Sequence, residues 1–437
     1  MKRVVLINPP QNTRYPQPPM GLALLGAILE SKGYQVNILD GNILPVVNLA
    51  SQVDVDMVGL TAMTPTINSA LNIARKLKQM KSHRKIIIGG VHASLLPQDI
   101  VKNCPEIDAV VVGEGEQIIT DLLLNGINGI CQSTSLSDMD SLPFLAYHLL
   151  PFQSYKPHPP HGRAMPFMTM LTSRGCPYSC SYCSKGVFGN NFRAQSPGRV
   201  VDEIFYYIKK FGAKEIAFYD DVFTLDKKRV YGISEQILER NLKINWSCET
   251  RANLVDKDLL RVMKKSGCYT ISYGIESGSQ EILNIIDKNI TLEQSEMAIR
   301  LTREAGIQTI GYFMIGSPNE TPDTIKQTIN LARKLKLDYA QFAITTPFPM
   351  TKLWEYYKAQ GRDVPSWDSL SYMNLGHKTS PIFDSTELNR EDIEHWVSRA
   401  YRDFYLRFSY IFQRLSKIRS AGDVRVLING LDMLRGM

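Results

Sequence analysis

The sequence predicts two consecutive α/β domains, each built on a parallel sheet, followed by a small, mostly helical carboxyl-terminal region. Three observations lead to this fold class. Short β-branched runs alternate with longer helical patterns along most of the 437 residues, which is typical of βα units. The strand candidates are almost continuously apolar, as expected where helices cover both faces of a sheet. One segment rich in serine, aspartate and proline has no periodicity, so it predicts a linker between the two series.

These changes of pattern set the predicted boundaries, since the chain is too long for one ordinary core. A first domain is predicted over residues 1–135, a linker over 136–165, a second domain over 166–355 and a carboxyl-terminal region over 356–437. The linker is expected to be ordered by packing, because it retains Phe144, Tyr147 and Phe152.

The first domain is predicted to be a doubly wound, Rossmann-like sheet of five parallel strands. The strand candidates are 4–7, 35–39, 57–60, 85–88 and 109–112. Helical patterns lie between them at 21–31, 66–80 and 116–124, with a weaker one near 46–52. In such a fold, ligands bind at the carboxyl ends of the strands.

The second domain is predicted to be a partial (β/α)6 barrel. Its six strand candidates are 167–172, 215–218, 245–249, 269–273, 308–315 and 339–345, with helical segments between them. Chemistry in a barrel of this kind lies at the carboxyl ends of the strands.

Composition and cysteine usage disfavour several classes of protein. Hydrophobic residues make up 44% and charged residues 21% of the chain, as in a soluble globular enzyme. No run of eighteen apolar residues is present, so no membrane span is expected, and the first apolar stretch ends at Asn8-Pro9-Pro10, too early for an export signal. Seven cysteines, an odd number, argue against a disulfide framework and favour the cytoplasm. A net charge of +7 does not indicate nucleic-acid binding.

Three of the cysteines, Cys176, Cys180 and Cys183, lie within eight residues in the spacing CxxxCxxC. Three soft thiolates from one short loop suit an iron–sulfur cluster. A four-iron cluster with three protein ligands keeps one iron open, and a chelating substrate can occupy that position. The alternative is a structural zinc site, which takes four ligands and would have to recruit His158 or His161.

Glycine-rich turns follow the fourth and fifth strands of the first domain. Their sequences are Gly89-Gly90-Val91-His92 and Gly113-Glu114-Gly115-Glu116, and glycine lets backbone amides approach a ligand closely. No GxGxxG follows the first strand, so a dinucleotide site is disfavoured. The turns therefore predict another ligand at this edge; the alternative is a flavodoxin-like domain with ordinary glycine turns.

The cysteine loop, from Arg174 to Cys183, resembles the signature of the radical S-adenosylmethionine (SAM) superfamily, and supporting motifs recur in order at the strand ends. The resemblance implies a [4Fe-4S] cluster on the three cysteines, with the amino and carboxylate groups of SAM chelating the open iron. It also implies an external electron donor of the ferredoxin or flavodoxin type. The implied SAM-binding residues are Tyr182, Asp220, Arg251, Glu276, Ser277 and Gly316.

The resemblance gives several of these residues a partner on SAM. Tyr182 and Gly316 would lie near the adenine, and Asp220 near the amino group. The planar guanidinium of Arg251 suits the SAM carboxylate. Considered singly, Glu276 could instead cap a helix and Arg251 could form a surface ion pair.

The first domain resembles the cobalamin-binding domain that is fused to many radical SAM enzymes. The resemblance rests on Asn8-Pro9-Pro10, Pro19-Met20-Gly21, Asp40-Gly41 and the two glycine-rich turns. The implied cobalamin-binding residues are Asn8, Pro9, Thr61, Met63, Thr64, Gly89, Gly90, Val91, His92, Gly113, Glu114, Gly115 and Glu116.

The DxHxxG motif that supplies a histidine ligand to cobalt is absent from the chain. Base-off cobalamin without a histidine ligand is therefore implied, with the loop 61–66 at the lower face of the corrin. His92 is expected at the corrin edge or as a helix cap rather than on cobalt.

The pair of cofactors is similar to that of methyltransferases that alkylate an unactivated sp3 carbon. The resemblance implies that one SAM methylates cob(I)alamin, while a second is cleaved reductively to a deoxyadenosyl radical that removes hydrogen from the substrate. No catalytic side chain is implied beyond the cofactors. The length of the chain resembles that of archaeal enzymes that methylate a glutamine in methyl-coenzyme M reductase, so a protein or peptide substrate is expected, with a small molecule as the alternative.

Two other functions stay open. A cobalamin-dependent radical SAM enzyme could rearrange, cyclise or oxidise its substrate without methyl transfer. A non-catalytic sensor would bind the cofactors but never cleave SAM.

The carboxyl-terminal region contains an aromatic and basic helical pattern over 400–419. From Ser398 onward, eight basic residues stand against three acidic ones. The simplest interpretation is an amphipathic helix that packs its aromatic side chains on the barrel and solvates its arginines. The alternatives are docking of an acidic protein partner and, less favoured, contact with a membrane surface.

Overall fold

The computed structural model describes residues 2–11, 13, 15–44, 53–126, 128–155, 157, 162, 164–362, 367, 370 and 388–415. Within them, two parallel sheets follow one another along the chain, each accompanied by helices. This confirms the predicted α/β fold class with its small helical carboxyl-terminal part. No helix in the described part of the chain is long and apolar enough to cross a membrane.

The first sheet has six parallel strands in the spatial order 2-1-3-4-5-6. They are β1 (Arg3–Asn8), β2 (Gln35–Asp40), β3 (Met57–Thr61), β4 (Lys85–Gly89), β5 (Ala109–Val112) and β6 (Gly129–Gln132). The five predicted strands match β1 to β5 to within one residue at each end. The edge strand β6 was not predicted, because it buries only Cys131 and so lacks an apolar run.

Five helices accompany this sheet: α1 (Met20–Ser31), α2 (Ile67–Met80), α3 (Val91–Leu95), α4 (Pro97–Asn103) and α5 (Ile119–Asn125). The short helices α3 and α4 were not predicted, and the weak helical pattern near 46–52 lies outside the described residues. The strand order reverses at β1, and this reversal opens a crevice at the carboxyl ends of the strands.

The linker is ordered by packing, as expected. It forms three short 3₁₀ turns at Met139–Ser141, Tyr147–Leu149 and Phe152–Ser154. The buried Tyr147 hydroxyl donates to the carbonyl of Thr169 in the barrel at 2.7 Å. The Tyr155 hydroxyl donates to Asp40 Oδ2 in the first domain at 2.8 Å. The linker therefore holds the two sheets together.

The second sheet has six parallel strands and forms an open barrel. In spatial order they are β7 (Phe167–Met170), β10 (Glu215–Phe218), β11 (Asn245–Thr250), β12 (Cys268–Glu276), β13 (Gln308–Ile315) and β14 (Tyr339–Ile344). An antiparallel ribbon of β8 (Ser173–Arg174) and β9 (Arg193–Ala194) brackets the cysteine loop. The ribbon was not predicted, because two-residue strands show no periodicity.

Among the residues that the structure describes, nine helices accompany the barrel. They are α6 (Pro197–Phe211), α7 (Lys227–Glu239), α8 (Lys257–Lys265), α9 (Gln280–Ile285), α10 (Leu292–Glu304), α11 (Pro322–Lys334), α12 (Lys352–Ala359), α13 (Arg390–Tyr405) and α14 (Phe408–Leu415). Side-chain oxygens of Thr291 and Thr321 cap α10 and α11 through capping boxes, which fix the residues at which these helices begin.

One buried core runs through both domains. It joins Leu6 of the first sheet, Tyr147 of the linker and Met168 of the barrel. A second core covers the opposite face of the first sheet. Because the larger core is continuous, the two sheets are held in a fixed relation.

Helix α13 packs on the barrel with its aromatic side chains. Phe404 is fully buried, and the Tyr401 hydroxyl accepts a hydrogen bond from the amide of Phe342 at 3.1 Å. Arg399 stays on the surface beside Asp403. This arrangement agrees with the simplest interpretation of the basic aromatic segment as far as the structure describes it; residues 416–419 lie outside the described part.

Candidate functional site

The cysteine loop leaves the carboxyl end of β7 and is anchored on the barrel. Gly175 has a φ of +83°, and any side chain there would collide with the backbone of Asn191, so only glycine fits. The amide of Ser181 donates to the carbonyl of Ile286 at 3.0 Å, and its carbonyl accepts from the amide of Leu353 at 2.9 Å. The loop therefore has a defined course.

The three loop thiols are reduced and lie close enough to influence one another. Removal from water, followed by repulsion from Cys180 and Cys176, raises the pKa of Cys183 to about 11. Desolvation also raises the pKa of Cys176. A cationic metal centre lowers the pKa values of both thiols when it binds, because it coordinates the thiolate forms.

The donor set fits a four-iron cluster. In the described part of the chain, no three Cys, His, Asp or Glu side chains converge on a single ion-sized position. A four-iron cluster instead takes each thiolate on a different iron. Cys176, Cys180 and Cys183, three thiols on one anchored loop, match that requirement.

Arg251 lies over the cysteine loop. Its Nη1 donates to Cys180 Sγ at 3.5 Å, and its guanidinium stacks 3.7 Å from the centre of the Tyr178 ring. Its Nη2 donates to the carbonyl of Lys288. At 4% exposure, Arg251 does not form a surface ion pair. Its buried Nε has no hydrogen-bond partner among the described residues. This N–H is therefore available to donate a hydrogen bond to a ligand.

Glu276 forms a buried polar group with Tyr182 and Lys288. The Lys288 Nζ lies 2.6 Å from Glu276 Oε1, and the Tyr182 hydroxyl donates to the same oxygen at 2.9 Å. Glu276 has a φ of +67° at an irregularity in the pairing of β12 with β13, which turns its side chain into the barrel. It does not cap a helix.

Asp220 lies at the start of the cysteine loop. It is 1% exposed and accepts hydrogen bonds from the Thr172 amide at 2.6 Å, the Thr172 hydroxyl at 2.7 Å and the Ser173 hydroxyl at 2.7 Å. Arg229 lies 3.8 Å from the same carboxylate. These contacts position the start of the cysteine loop, and a contact between Asp220 and SAM stays a prediction.

Ser277 and Gly316 contact helices α11 and α13. The fully buried Ser277 hydroxyl lies 3.1 Å from the Thr328 hydroxyl of α11. Gly316 has a φ of +96°, and a Cβ there would meet Ile393 of α13 at 3.1 Å. Neither residue is among those that line the barrel cavity, and their contact with SAM stays a prediction.

The barrel mouth encloses a cavity of about 490 Å³. Its walls are Gln17, Tyr182, Tyr219, Glu249, Glu276, Tyr312, Phe313, Met314, Gln341, Ala343, Ile344, Thr346 and Phe348. Gln17 comes from the first domain, and its Oε1 accepts a hydrogen bond from the Tyr219 hydroxyl at 3.1 Å. Gln17 was not predicted, because it lies in a loop without a recognisable motif.

A second cavity, of about 450 Å³, lies between the carboxyl ends of the first sheet and the barrel. Nine of the thirteen residues implied for cobalamin line it: Thr61, Met63, Gly89, Gly90, Val91, Gly113, Glu114, Gly115 and Glu116. The opposite wall includes Met170, Arg174 and Phe188. These residues were not predicted to line the cavity, because they belong to the second domain.

The other four implied residues are not among those that line this cavity. His92 is fully buried, with its Nδ1 3.3 Å from the Thr64 hydroxyl and its ring edge-on to Trp367. Burial lowers the pKa of His92 to about 4. The neutral form is therefore favoured, and contact of His92 with the corrin edge stays a prediction.

Asn8, Pro9 and Thr64 lie at the same edge of the first sheet. The Asn8 side chain donates to Asp40 Oδ1 at 2.9 Å, Pro9 is buried, and Thr64 is 3% exposed. Their contact with cobalamin also stays a prediction.

Two buried charges, Glu114 and Arg174, and two partly buried ones, Glu116 and Arg193, join the two domains beside this cavity. Arg174 pairs with Glu114 and, at 2.6 Å, with Glu116. Arg193 lies 2.6 Å from the other oxygen of Glu114. The glutamates of the glycine-rich turn thus bind the ribbon that brackets the cysteine loop.

Filling the cavity from Gly115 is expected to weaken cobalamin binding. A Cβ on Gly115 would meet Leu25 at 3.5 Å, which is ordinary contact, so Gly115→Leu adds volume without backbone strain. We expect at least roughly tenfold weaker binding, because a well-packed site does not accommodate extra methylenes. Visible absorbance of the cofactor retained after desalting measures this.

Gly198→Leu is the matched control, since a Cβ there meets only Gln236 at 3.8 Å, away from both cavities. Gly90 is unsuitable, because its φ is +97° and a side chain would press on Ala62. Full cobalamin retention by Gly115→Leu would place the cofactor elsewhere.

Glu320 predicts a pH dependence of stability. Burial raises the pKa of Glu320 to about 7 from 4.5, although the amides of Gly316 and Ser317 donate to it. The unfolded chain ionises first, so stability falls as pH rises from 4.5 to 7. Glu320→Gln is therefore expected to be more stable than the parent protein by up to about 3 kcal/mol at pH 8, with little difference near pH 5.

Anaerobic denaturant unfolding at both pH values measures this difference in stability, with the exposed Glu281→Gln as the control. An equal difference between Glu320→Gln and the parent protein at both pH values would contradict the prediction.

Two family models match the chain. The radical SAM superfamily model matches residues 170–332, which contain the cysteine loop. The B12 binding domain model matches residues 11–123, which contain both glycine-rich turns.

Similar proteins cover almost the whole chain. It is 34% identical to an uncharacterized methyltransferase of Pyrococcus horikoshii, over 93% of each protein. It is 29% identical to the anaerobic magnesium-protoporphyrin IX monomethyl ester cyclase of Rubrivivax gelatinosus, over 90% of this chain and 75% of that protein. The solved structure of the radical SAM methyltransferase TsrM from Kitasatospora setae, with cobalamin and a [4Fe-4S] cluster bound, has a TM-score of 0.71 at 18% identity, over 93% of this chain and 89% of that one. This last likeness shows the fold.

Proposed function

The chain belongs to the radical SAM superfamily, in the group that carries a B12-binding domain before the barrel, and on this premise we propose that it methylates an unactivated sp3 carbon. The methyltransferase of Pyrococcus horikoshii matches it along nearly its full length. An unactivated carbon has no useful acidity, so removal of a hydrogen atom rather than a proton makes it reactive.

The observation that carries the proposal is that one short segment of the first domain, residues 17–21, contributes to the walls of both cavities. Gln17 lines the barrel cavity, and Met20 and Gly21 line the cavity between the domains. A substrate held at this segment has one cofactor site on each side. Positioning of this kind is the main contribution of a protein whose cofactors carry out the chemistry.

When bound, the cluster supplies the electron that cleaves SAM, and cobalamin carries the methyl group. Cys176, Cys180 and Cys183 hold the cluster. The free Nε of Arg251 is the donor we assign to the SAM carboxylate. Tyr182 and Glu276, both in the cavity wall, are oriented by Lys288 for the rest of SAM.

We further propose that cobalamin binds base-off without a histidine ligand. Among the residues that the structure describes, none that lines the cavity between the domains is a histidine. Enzymes of this superfamily need an external electron donor, for which we propose a ferredoxin or flavodoxin, and a cluster on reduced thiols suits the cytoplasm.

Reaction without methyl transfer is the second candidate, because a cyclase is among the relatives. Methylation of a glutamine in methyl-coenzyme M reductase rests on chain length alone, and no contact described above favours that peptide over a small molecule. A sensor is disfavoured by the open cavity beside the cysteine loop.

Product stoichiometry tests the proposed function. Candidate substrates are incubated anaerobically with reductant and SAM that carries a trideuterated methyl group. We expect S-adenosylhomocysteine and deoxyadenosine in about equal amounts, with one labelled methyl group on the product. Deuterium placed on the substrate carbon should appear in deoxyadenosine. Sustained turnover that forms deoxyadenosine alone would favour the cyclase-like reaction and refute methyl transfer.

A further inference from the structure

Glu249 is a carboxylate in the barrel cavity for which the steps described above provide no role. It lies at the end of β11, is half-buried, and lines the cavity together with Tyr312 of the neighbouring region of the sheet. The Tyr312 hydroxyl donates to Glu249 Oε1 at 3.0 Å. This bond fixes the carboxylate and leaves Oε2 without a hydrogen bond from the described residues.

The two carboxylates in the cavity wall differ in their charge partners. Glu276 has Lys288 at 2.6 Å. Glu249 instead accepts a hydrogen bond from the neutral Tyr312. The charged group that affects its pKa is the negative Asp221. A carboxylate removed from water without a cation is costly, so this wall is complementary to a positive charge.

The titration of Glu249 agrees with this description. Burial raises the pKa of Glu249, the Tyr312 hydrogen bond opposes that effect, and Asp221 adds to it. A cation bound beside Glu249 would offset the free-energy cost of ionising this buried carboxyl group.

Glu249 and Glu276 lie at the carboxyl ends of the adjacent strands β11 and β12. Gln17 of the first domain is hydrogen-bonded to Tyr219 of the barrel, and Glu276 is hydrogen-bonded to Tyr182 of the cysteine loop. Glu249 and Glu276 are the only charged residues among the thirteen that line the cavity. Neutral and apolar side chains, including Met314 and Phe348, surround the remaining space.

We propose that Glu249, oriented by Tyr312, binds a positively charged hydrogen-bond donor of the substrate, an ammonium or guanidinium group. This rests on the proposed function, since it assumes that the substrate enters the barrel cavity. The charged group would anchor the substrate at Glu249, while its aliphatic part extends along the neutral wall towards Gln17. The substrate class is therefore an amine or guanidine with an aliphatic chain, free or on a peptide.

Binding of small probes to the holoenzyme tests the proposal without knowledge of the substrate. The probes are n-butylammonium, n-butanol and butanoate, whose dissociation constants are measured by ligand-detected NMR with SAM bound. We expect n-butylammonium to bind at least tenfold more tightly than the other two. Glu249→Gln should weaken its binding at least tenfold and Tyr312→Phe severalfold, whereas the exposed Glu281→Gln should leave it within twofold.

SAM affinity, measured on the same variants, distinguishes the substrate role from a SAM role. We expect Glu249→Gln to change SAM affinity less than threefold. Equal loss of SAM and amine binding would assign Glu249 to SAM and overturn the proposal. If Glu249→Gln fails to fold, equal binding of the three probes to the parent protein would also overturn it. Neither result depends on methyl transfer, so this proposal and the proposed function fail separately.

Discussion

Replacement of any one of Cys176, Cys180 and Cys183 by alanine is expected to remove the cluster and reduce deoxyadenosine formation to background. The loop supplies three thiolates, and a four-iron cluster needs each of them on a different iron. No other cysteine lies on the loop, since Cys104, Cys131, Cys248 and Cys268 are buried elsewhere. Iron content and visible absorbance after anaerobic reconstitution, together with product analysis, measure the effect.

The matched control is alanine at a cysteine outside the loop. Cys131 lies on the edge strand β6 and Cys268 at the start of β12. We expect both variants to keep full iron content and SAM cleavage, apart from a modest loss of stability of about 1–2 kcal/mol. A triple loop variant that retained four irons would show that the ligands lie elsewhere.

The fold was predictable because its signals are local. Four of the five predicted strands of the first sheet are largely apolar runs, and β2 is interrupted by the exposed Asn37; buried parallel strands favour such runs. The edge strand β6 and the ribbon β8–β9 were missed, because an exposed edge and two-residue strands need no apolar pattern. The cysteine loop was found from spacing alone, since all its ligands lie within eight residues.

The surroundings of the predicted site residues depend on contacts between distant segments, which the sequence does not show. The His92 ring lies edge-on to Trp367, which is far away in the sequence. Asp220 accepts hydrogen bonds from Thr172 and Ser173. Motif order identifies a strand end but does not specify which side of the turn faces the cavity.

The ion pairs that Glu114 and Glu116 form with Arg174 and Arg193 between the domains are expected to support both cofactor sites. Side chains of Glu114 and Arg174 are 1% and 5% exposed, and that of Arg193 is 13% exposed. Glu114→Gln keeps the shape of the side chain but leaves two buried arginines without their shared carboxylate. Breaking a buried pair on one side costs about 3–5 kcal/mol, so we expect a loss of stability of that size.

Arg174→Met should cost about as much, because it leaves Glu114 with Arg193 alone. The double variant should cost clearly less than the sum of the single changes, since each single change removes the same interaction. Asp108→Asn is the matched control: it breaks a pair with Lys78 at 3.0 Å, whose side chains are 17% and 18% exposed, at the opposite end of the first sheet. Only a small loss, about 1 kcal/mol or less, is expected there.

Measuring cofactor retention shows whether these ion pairs position the cofactor sites or only stabilise the fold. Arg174 stands two residues before Cys176, and Glu114 stands in the turn that lines the cobalamin cavity. Glu114→Gln should therefore weaken cobalamin retention and also lower the iron content after reconstitution, whereas Asp108→Asn should change neither. Anaerobic denaturant unfolding, cobalamin absorbance and iron content on the same preparations test this. If Glu114→Gln were as stable as the parent protein and kept both cofactors, the ion pairs would not couple the domains, and the cysteine loop would be positioned by the β8–β9 ribbon and its barrel contacts alone.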